Sequence, residues 1–73
     1  MNIDDKCREL IGKTHSVDYC KRIYGEPIIQ VNDIIGFTLD IDKGKMKVLY
    51  RIQSDNSLQV YDCWYQSEVA DNE

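Results

Sequence analysis

Ile34-Ile35-Gly36-Phe37-Thr38-Leu39-Asp40-Ile41-Asp42-Lys43-Gly44-Lys45-Met46-Lys47 is the stretch on which the reading of this chain turns. It separates a short apolar run, Ile28 to Val31, from a longer segment of alternating character that starts at Met46. About a dozen residues without helical periodicity join the two, which is long for a connection in a small domain, and connections of that length tend to carry function. The segment is therefore predicted to be an extended loop spanning residues 34–45. At its centre a large apolar residue, Leu39, stands between Thr38 and the carboxylate of Asp40. Lys45 and Lys47 follow two apart, and so lie on one face of the next strand.

Working outward, Ile28-Ile29-Gln30-Val31 reads as a short strand stopped by Asn32-Asp33. From Met46 to Gln53, Met46, Val48, Tyr50 and Ile52 alternate with Lys47, Leu49, Arg51 and Gln53, as in a strand with one buried face. Ser54-Asp55-Asn56-Ser57 is a turn by composition, and Leu58 to Trp64 is the returning strand of a hairpin, with Leu58, Val60 and Asp62 on one side and Gln59, Tyr61 and Cys63 on the other. Upstream lies the clearest helix. Ser16 is its N-cap, Asp18 complements the dipole of its first turn, Lys21 and Arg22 that of its last, and Gly25 with Pro27 ends it. Val17, Cys20, Ile23 and Tyr24 recur at spacings of three and four, defining a face to be buried on a sheet. Cys7 to Leu10 is predicted to make one turn of helix broken at Gly12.

Seventy-three residues form a single domain, with its core expected over about 7–64 and frayed ends at 1–5 and 67–73. A hydrophobic content of 42% against 30% charged residues is too apolar for a disordered chain. Nine basic residues are outnumbered by thirteen acidic ones, for a net charge of -4, and are scattered, so a nucleic-acid surface is not expected. No apolar run approaches the roughly 18 residues of a membrane span, and no signal segment is visible at the amino end. Cys7 and Cys63 lie near the two ends of the core, and bridging them would close most of the chain into one loop, so they are read as a disulfide; Cys20, in the helical apolar pattern, is read as a small buried hydrophobe. A structural disulfide implies secretion or another oxidising compartment. His15 with Cys20 is weighed as a base and thiol nucleophile and set aside, because a catalytic cysteine needs a pocket that this length hardly provides. Cys7, His15 and Cys20 fit no zinc spacing and lack a fourth ligand, so neither a metal nor a cofactor is expected. Trp64, Tyr61 and Tyr65 are read as packing on the last strand.

In order along the chain, Leu10-Ile11-Gly12-Lys13, Ser16-Val17-Asp18-Tyr19-Cys20-Lys21-Arg22-Ile23, Ile28-Ile29-Gln30-Val31 and Thr38-Leu39-Asp40 resemble the Leu-Val-Gly-Lys opening, the helix, the pre-loop strand and the reactive-site Thr-Met-Glu of the potato inhibitor I family. Lys45 and Lys47 fall on its two loop-supporting arginines, and Cys7 with Cys63 are placed as in its disulfide-bearing fungal and bacterial elastase-inhibitor branch. The resemblance covers roughly residues 7–64. It implies a wedge-shaped α+β domain, one helix packed on a short mixed sheet with a long extended protease-binding loop. It also implies a monomeric, non-enzymatic serine-protease inhibitor of the standard substrate-like mechanism. Leu39-Asp40 would be the scissile bond, with Gly36, Phe37, Thr38, Leu39, Asp40 and Ile41 on the protease and Lys45 and Lys47 holding the loop from behind. An apolar Leu39 would suit chymotrypsin-, elastase- or subtilisin-like enzymes. The chain departs from the family at Lys45 and Lys47, since lysine cannot make arginine's planar two-pronged contact, at Gly36, and at Asp42, where arginine is common. The alternative is a non-inhibitory protein-interaction module on a similar small α+β scaffold.

Overall fold

The structure, a computed structural model, describes residues 3–68. Two helices, α1 (Ile3–Leu10) and α2 (Val17–Tyr24), lie on one face of a five-stranded sheet built from β1 (Thr14–His15), β2 (Ile29–Val31), β3 (Ile34–Ile41), β4 (Gly44–Ile52) and β5 (Leu58–Ser67). The strand order is β1-β5-β4-β3-β2, and every pairing is antiparallel.

This corrects the expected architecture in three respects. The sheet is wholly antiparallel rather than mixed. A second helix is present, and it begins at Ile3, inside the segment expected to fray; Asp4 and Asp5 at its first turn and Arg8 at its last complement its dipole. Residues 34–45 are no extended loop: Ile34–Ile41 is a full strand paired residue for residue with β4, from Ile34↔Arg51 to Ile41↔Gly44. The reason is the pleat. Ile35, Phe37, Leu39 and Ile41 alternate with Ile34, Gly36, Thr38 and Asp40, so one register turns all four of the first set inward beside Tyr50, Val48 and Met46, with Ile35 and Phe37 buried and Leu39 and Ile41 partly so. The reversal needs only Asp42 and Lys43, with Asp42 at φ 54, a left-handed conformation that Asp and Asn tolerate. Asn32 (φ 56) turns β2 into β3 in the same way, and Asn56 (φ 70) serves the β4–β5 connection, where Asp55 Oδ1 accepts from the backbone N–H and the hydroxyl of Ser57.

α2 forms where its caps place it. The Ser16 hydroxyl accepts from the Tyr19 N–H, and Gly25, at φ 90, closes the last turn by donating to the Lys21 carbonyl. Of the face expected to be buried, Cys20 is fully so and Val17 and Tyr24 pack on the core, but Ile23 is exposed. α1 lies against β5 and α2 against β3. The core between helices and sheet is Cys7, Cys20, Ile35, Phe37, Met46, Val48, Tyr50, Leu58, Val60 and Cys63, with Phe37 stacked on Tyr24 and edge-on to Tyr50.

On β5 the expected facing of residues is overturned beyond Val60. A bulge opposite Leu49 and Tyr50 pairs Tyr50 with Val60 but Leu49 with Asp62, so Tyr61 is the extra residue. Inward positions therefore run Leu58, Val60, Cys63, and Asp62 turns outward. Ser67, placed in the expected polar tail, still belongs to the strand; residues 69–73 of that tail lie outside the described residues.

Candidate functional site

The hairpin β3–β4 places the residues singled out in the sequence as follows. Phe37 is fully buried, and Leu39, opposite Met46, packs on the core. Ile41 shares that inward face, whereas Gly36, Thr38 and Asp40 point to the other side of the sheet. Thr38 stands opposite Lys47 and Asp40 opposite Lys45, whose Nζ donates to Asp40 Oδ1 at 2.6 Å. That bond, with the charges of Asp40 and Glu68, raises the affinity of Lys45 for its proton. The two lysines and their expected partners are thus brought together, across a ladder rather than beneath a loop. A leucine entering a protease pocket has to project outward; here Leu39 projects inward.

Cys7 on α1 and Cys63 on β5 are buried as free thiols with their sulfurs 2.9 Å apart. Burial pushes the Cys63 thiol well up, and the neighbouring Cys7 adds to it. Cys20 is also buried and free, and takes part in a different cluster. The Tyr50 hydroxyl, at the floor of the core, lies 2.9 Å from His15 Nδ1 and 3.0 Å from the Tyr24 hydroxyl, with the buried Cys20 thiol beside it. Burial raises the proton affinity of Tyr50, Tyr24 and Cys20, and it lowers that of His15, with help from the charge of Lys13. A neutral imidazole and a second phenol bonded to one buried phenol make a structural knot, and no buried side-chain nitrogen or oxygen among the described residues lacks a partner. Among the described residues no cluster of His, Cys, Asp and Glu could hold a metal ion, and no helix is long and apolar enough to cross a membrane.

The outer face of the sheet is the remaining surface with chemistry. Both helices occupy the inner face, so nothing covers the outer one among the described residues. Its rows, read across the ladders, are Val31-Ile34-Arg51-Gln59, Ile29-Gly36-Leu49-Asp62, Thr38-Lys47-Trp64 and Asp40-Lys45-Gln66. A methyl group on Gly36 would sit 2.7 Å from Ile29 Cγ2 and 2.9 Å from Leu49 Cδ2. The missing side chain at Gly36 lets Ile29 and Leu49 close over it, joining β2 to β4 in one apolar surface. Ile28, Ile29, Val31, Tyr61 and Trp64 are 57, 48, 54, 53 and 40% exposed. Together they present roughly 500 Å², the size of the largest apolar patch on a typical monomer, a patch that is often functional. Arg51 lies over the Tyr61 ring, 4.9 Å from its centroid, and pairs with Asp33 at 3.5 Å. The sheet's free edges are poor docking sites by contrast. β2 is three residues long, and on β5 the Asp62 carboxylate accepts from the Cys63 N–H, occupying a peptide group that an added strand would need.

Sequence reasoning passed over this face because Ile29, Val31, Ile34 and Leu49 read singly as core residues. The signal that could have found it is parity: in the β3–β4 register these apolar residues fall opposite the Phe37 and Val48 set. Comparison with family models, with curated proteins and with solved structures returned no match.

Proposed function

We propose that this chain is a non-enzymatic protein-interaction module that presents the outer face of its sheet to a protein partner. The observation that carries the reading is the concentration of exposed apolar side chains on the one face that no helix covers. An antiparallel sheet commonly packs one face on its core and leaves a polar face in water; leaving Ile29, Val31 and Trp64 out instead has a hydrophobic cost that a partner removes. Burial of the face would be driven by these residues, and Lys47 and Arg51 at its centre would set orientation. The closeness of Cys7 and Cys63 supports placing the protein in an oxidising compartment.

The test is site-specific photo-cross-linking in cells that make the protein. A benzophenone amino acid replaces Val31 or Leu49 on the outer face, or Arg22 on α2 as the control. Protein adducts are expected from the two sheet positions and not from Arg22. Adducts that form as readily from Arg22, or none from the sheet, overturn the proposal.

Substrate-like inhibition of a serine protease through Leu39-Asp40 is the second reading, and the observation in its favour is the Lys45–Asp40 bond, which fastens the residue after Leu39 to the facing strand. It requires the hairpin to open far enough to turn Leu39 outward. A panel of chymotrypsin-, elastase- and subtilisin-like enzymes tests it: inhibition that disappears in Leu39→Gly would favour this reading, and full activity of every enzyme would remove it.

A further inference from the structure

We infer that the partner which fits the outer face is a second copy of this chain, docked sheet on sheet about a two-fold axis that runs parallel to β3 and β4 and passes between them. The inference rests on the proposed use of this face for protein binding and goes further by naming the occupant.

Charge is the first argument. The chain carries -4 overall, yet on this face the charges are nearly balanced: Arg51, Lys47 and Lys45 stand with Asp33, Asp40, Asp62 and Glu68, Arg51 paired with Asp33 and Lys45 with Asp40 and Glu68. The two helices on the opposite side are balanced as well, with Asp4, Asp5, Glu9 and Asp18 against Lys6, Arg8, Lys21 and Arg22. Two copies can therefore meet here without the repulsion their net charge would suggest, whereas a strongly basic or strongly acidic partner finds little to pair with.

Register is the second. The ladder sets the outward residues of β4 beside those of β3 in the order Arg51–Ile34, Leu49–Gly36, Lys47–Thr38, Lys45–Asp40. A two-fold axis between the strands lays β4 of one copy over β3 of the other in that same order. Each cation of β4 then meets a neutral or acidic residue of the opposing β3, Lys45 meets Asp40, and the bulk of Leu49 lies over Gly36, the one outward position with no side chain. The β2 strand of one copy comes over β5 of the other, so Trp64 covers the exposed end of β2 at Ile28. No like charges stand directly face to face in this arrangement; across the axis the β4 cations of the two copies are offset by about one strand spacing, with Asp33 beside Arg51 and Asp40 beside Lys45. Aligned packing of two twisted antiparallel sheets is a standard way to bury such faces.

Area is the third. Two patches of roughly 500 Å² amount to about 1,000 Å², the lower bound for a specific interface, which implies a dimer of micromolar rather than nanomolar strength.

Sedimentation equilibrium on the purified full chain, with the single Trp64 as an emission probe, tests this through trans-complementation. The wild type is expected to pass from its 8.5 kDa monomer to twice that mass as concentration rises, with a blue shift of Trp64 emission. Asp40→Lys alone opposes Lys45 to a lysine, and Lys45→Asp alone opposes Asp40 to an aspartate; each is expected to weaken the dimer by at least about tenfold. An equimolar mixture of the two restores opposite charges across the interface and should dimerise like the wild type. The Asp40–Lys45 bond within each chain stays broken in the mixture, so only the contact between chains accounts for the recovery. Circular dichroism on each variant checks that it is folded. A wild type that stays monomeric at every concentration, a dimer indifferent to both changes, or a mixture no stronger than its components overturns the inference. A monomeric wild type whose Val31 and Leu49 positions still cross-link to another polypeptide removes the second copy as partner and leaves the use of the face standing. The absence of both removes both.

Discussion

Oxidation of Cys7 and Cys63 to a disulfide is expected to raise the thermal midpoint of this protein by roughly 15–30 °C. The two sulfurs, 56 residues apart in sequence, already touch across the interface between α1 and β5. A bond between them would close nearly the whole domain into one loop, and the loss of loop entropy from the unfolded chain amounts to about 4 kcal/mol for a loop of this length. For a domain of this size each kcal/mol moves the midpoint by about 4–8 °C, which gives the stated range before any strain in the folded state is subtracted. The reaction joins the two sulfurs, releases two protons and passes two electrons to a small-molecule disulfide such as oxidised glutathione. It should be slow, because burial and the neighbouring thiol hold Cys63 in its protonated form, and attack needs the thiolate. The assay compares circular-dichroism melts after glutathione disulfide with melts after a phosphine reductant, alongside intact mass. Two hydrogens should be lost, Cys20→Ser should keep the shift, and Cys7→Ala should abolish it. A bond that involves Cys20, or oxidised and reduced forms that melt together, would refute the reasoning.

The remaining predictions use other parts of the fold. Burial lowers the proton affinity of His15, so below about pH 6.5 the unfolded chain binds more protons there than the folded one. Its contribution to stability is complete above that pH and is lost as pH falls through the lowered folded value; urea midpoints across pH 5–8 should show a fall that is smaller in His15→Gln. Tyr50→Phe leaves His15 and Tyr24 without their common partner and should cost about 1–3 kcal/mol in urea unfolding. Gly44→Ala puts a methyl group 2.4 Å from the Gln66 carbonyl oxygen and 2.5 Å from the Tyr65 hydroxyl, so the strand has to shift at a cost of about 1–3 kcal/mol; an unchanged midpoint would contradict the close packing of β4 on β5. Ser16→Ala removes the cap of α2 and should cost about 1 kcal/mol.

What could be read from the residues alone was what local chemistry decides. Ser16 and Gly25 bracket α2, the period of two from Met46 to Ile52 marks β4, and the polar run Ser54 to Ser57 marks the turn into β5; each signal lies within a few residues of the structure it specifies. The disulfide expected between Cys7 and Cys63 is not formed: the two are neighbouring free thiols, and it is the packing of α1 on β5 that sets them side by side. The segment 34–45 was decided only by tertiary structure. Its alternation of Ile35, Phe37, Leu39 and Ile41 is visible in the sequence, but a lone strand has no stability, and it is pairing with β4 on one side and β2 on the other that makes it a strand rather than a loop. The facing of β5 beyond Val60 lay equally out of reach, since the bulge at Tyr61 shifts the period by one residue and only the register with β4 reveals it. The open sheet face follows from the same cause. No residue states on which side the helices will pack, and once α1 and α2 bury Cys7 and Cys20 against the Phe37 side, Ile29, Val31, Leu49 and Trp64 are left on the other.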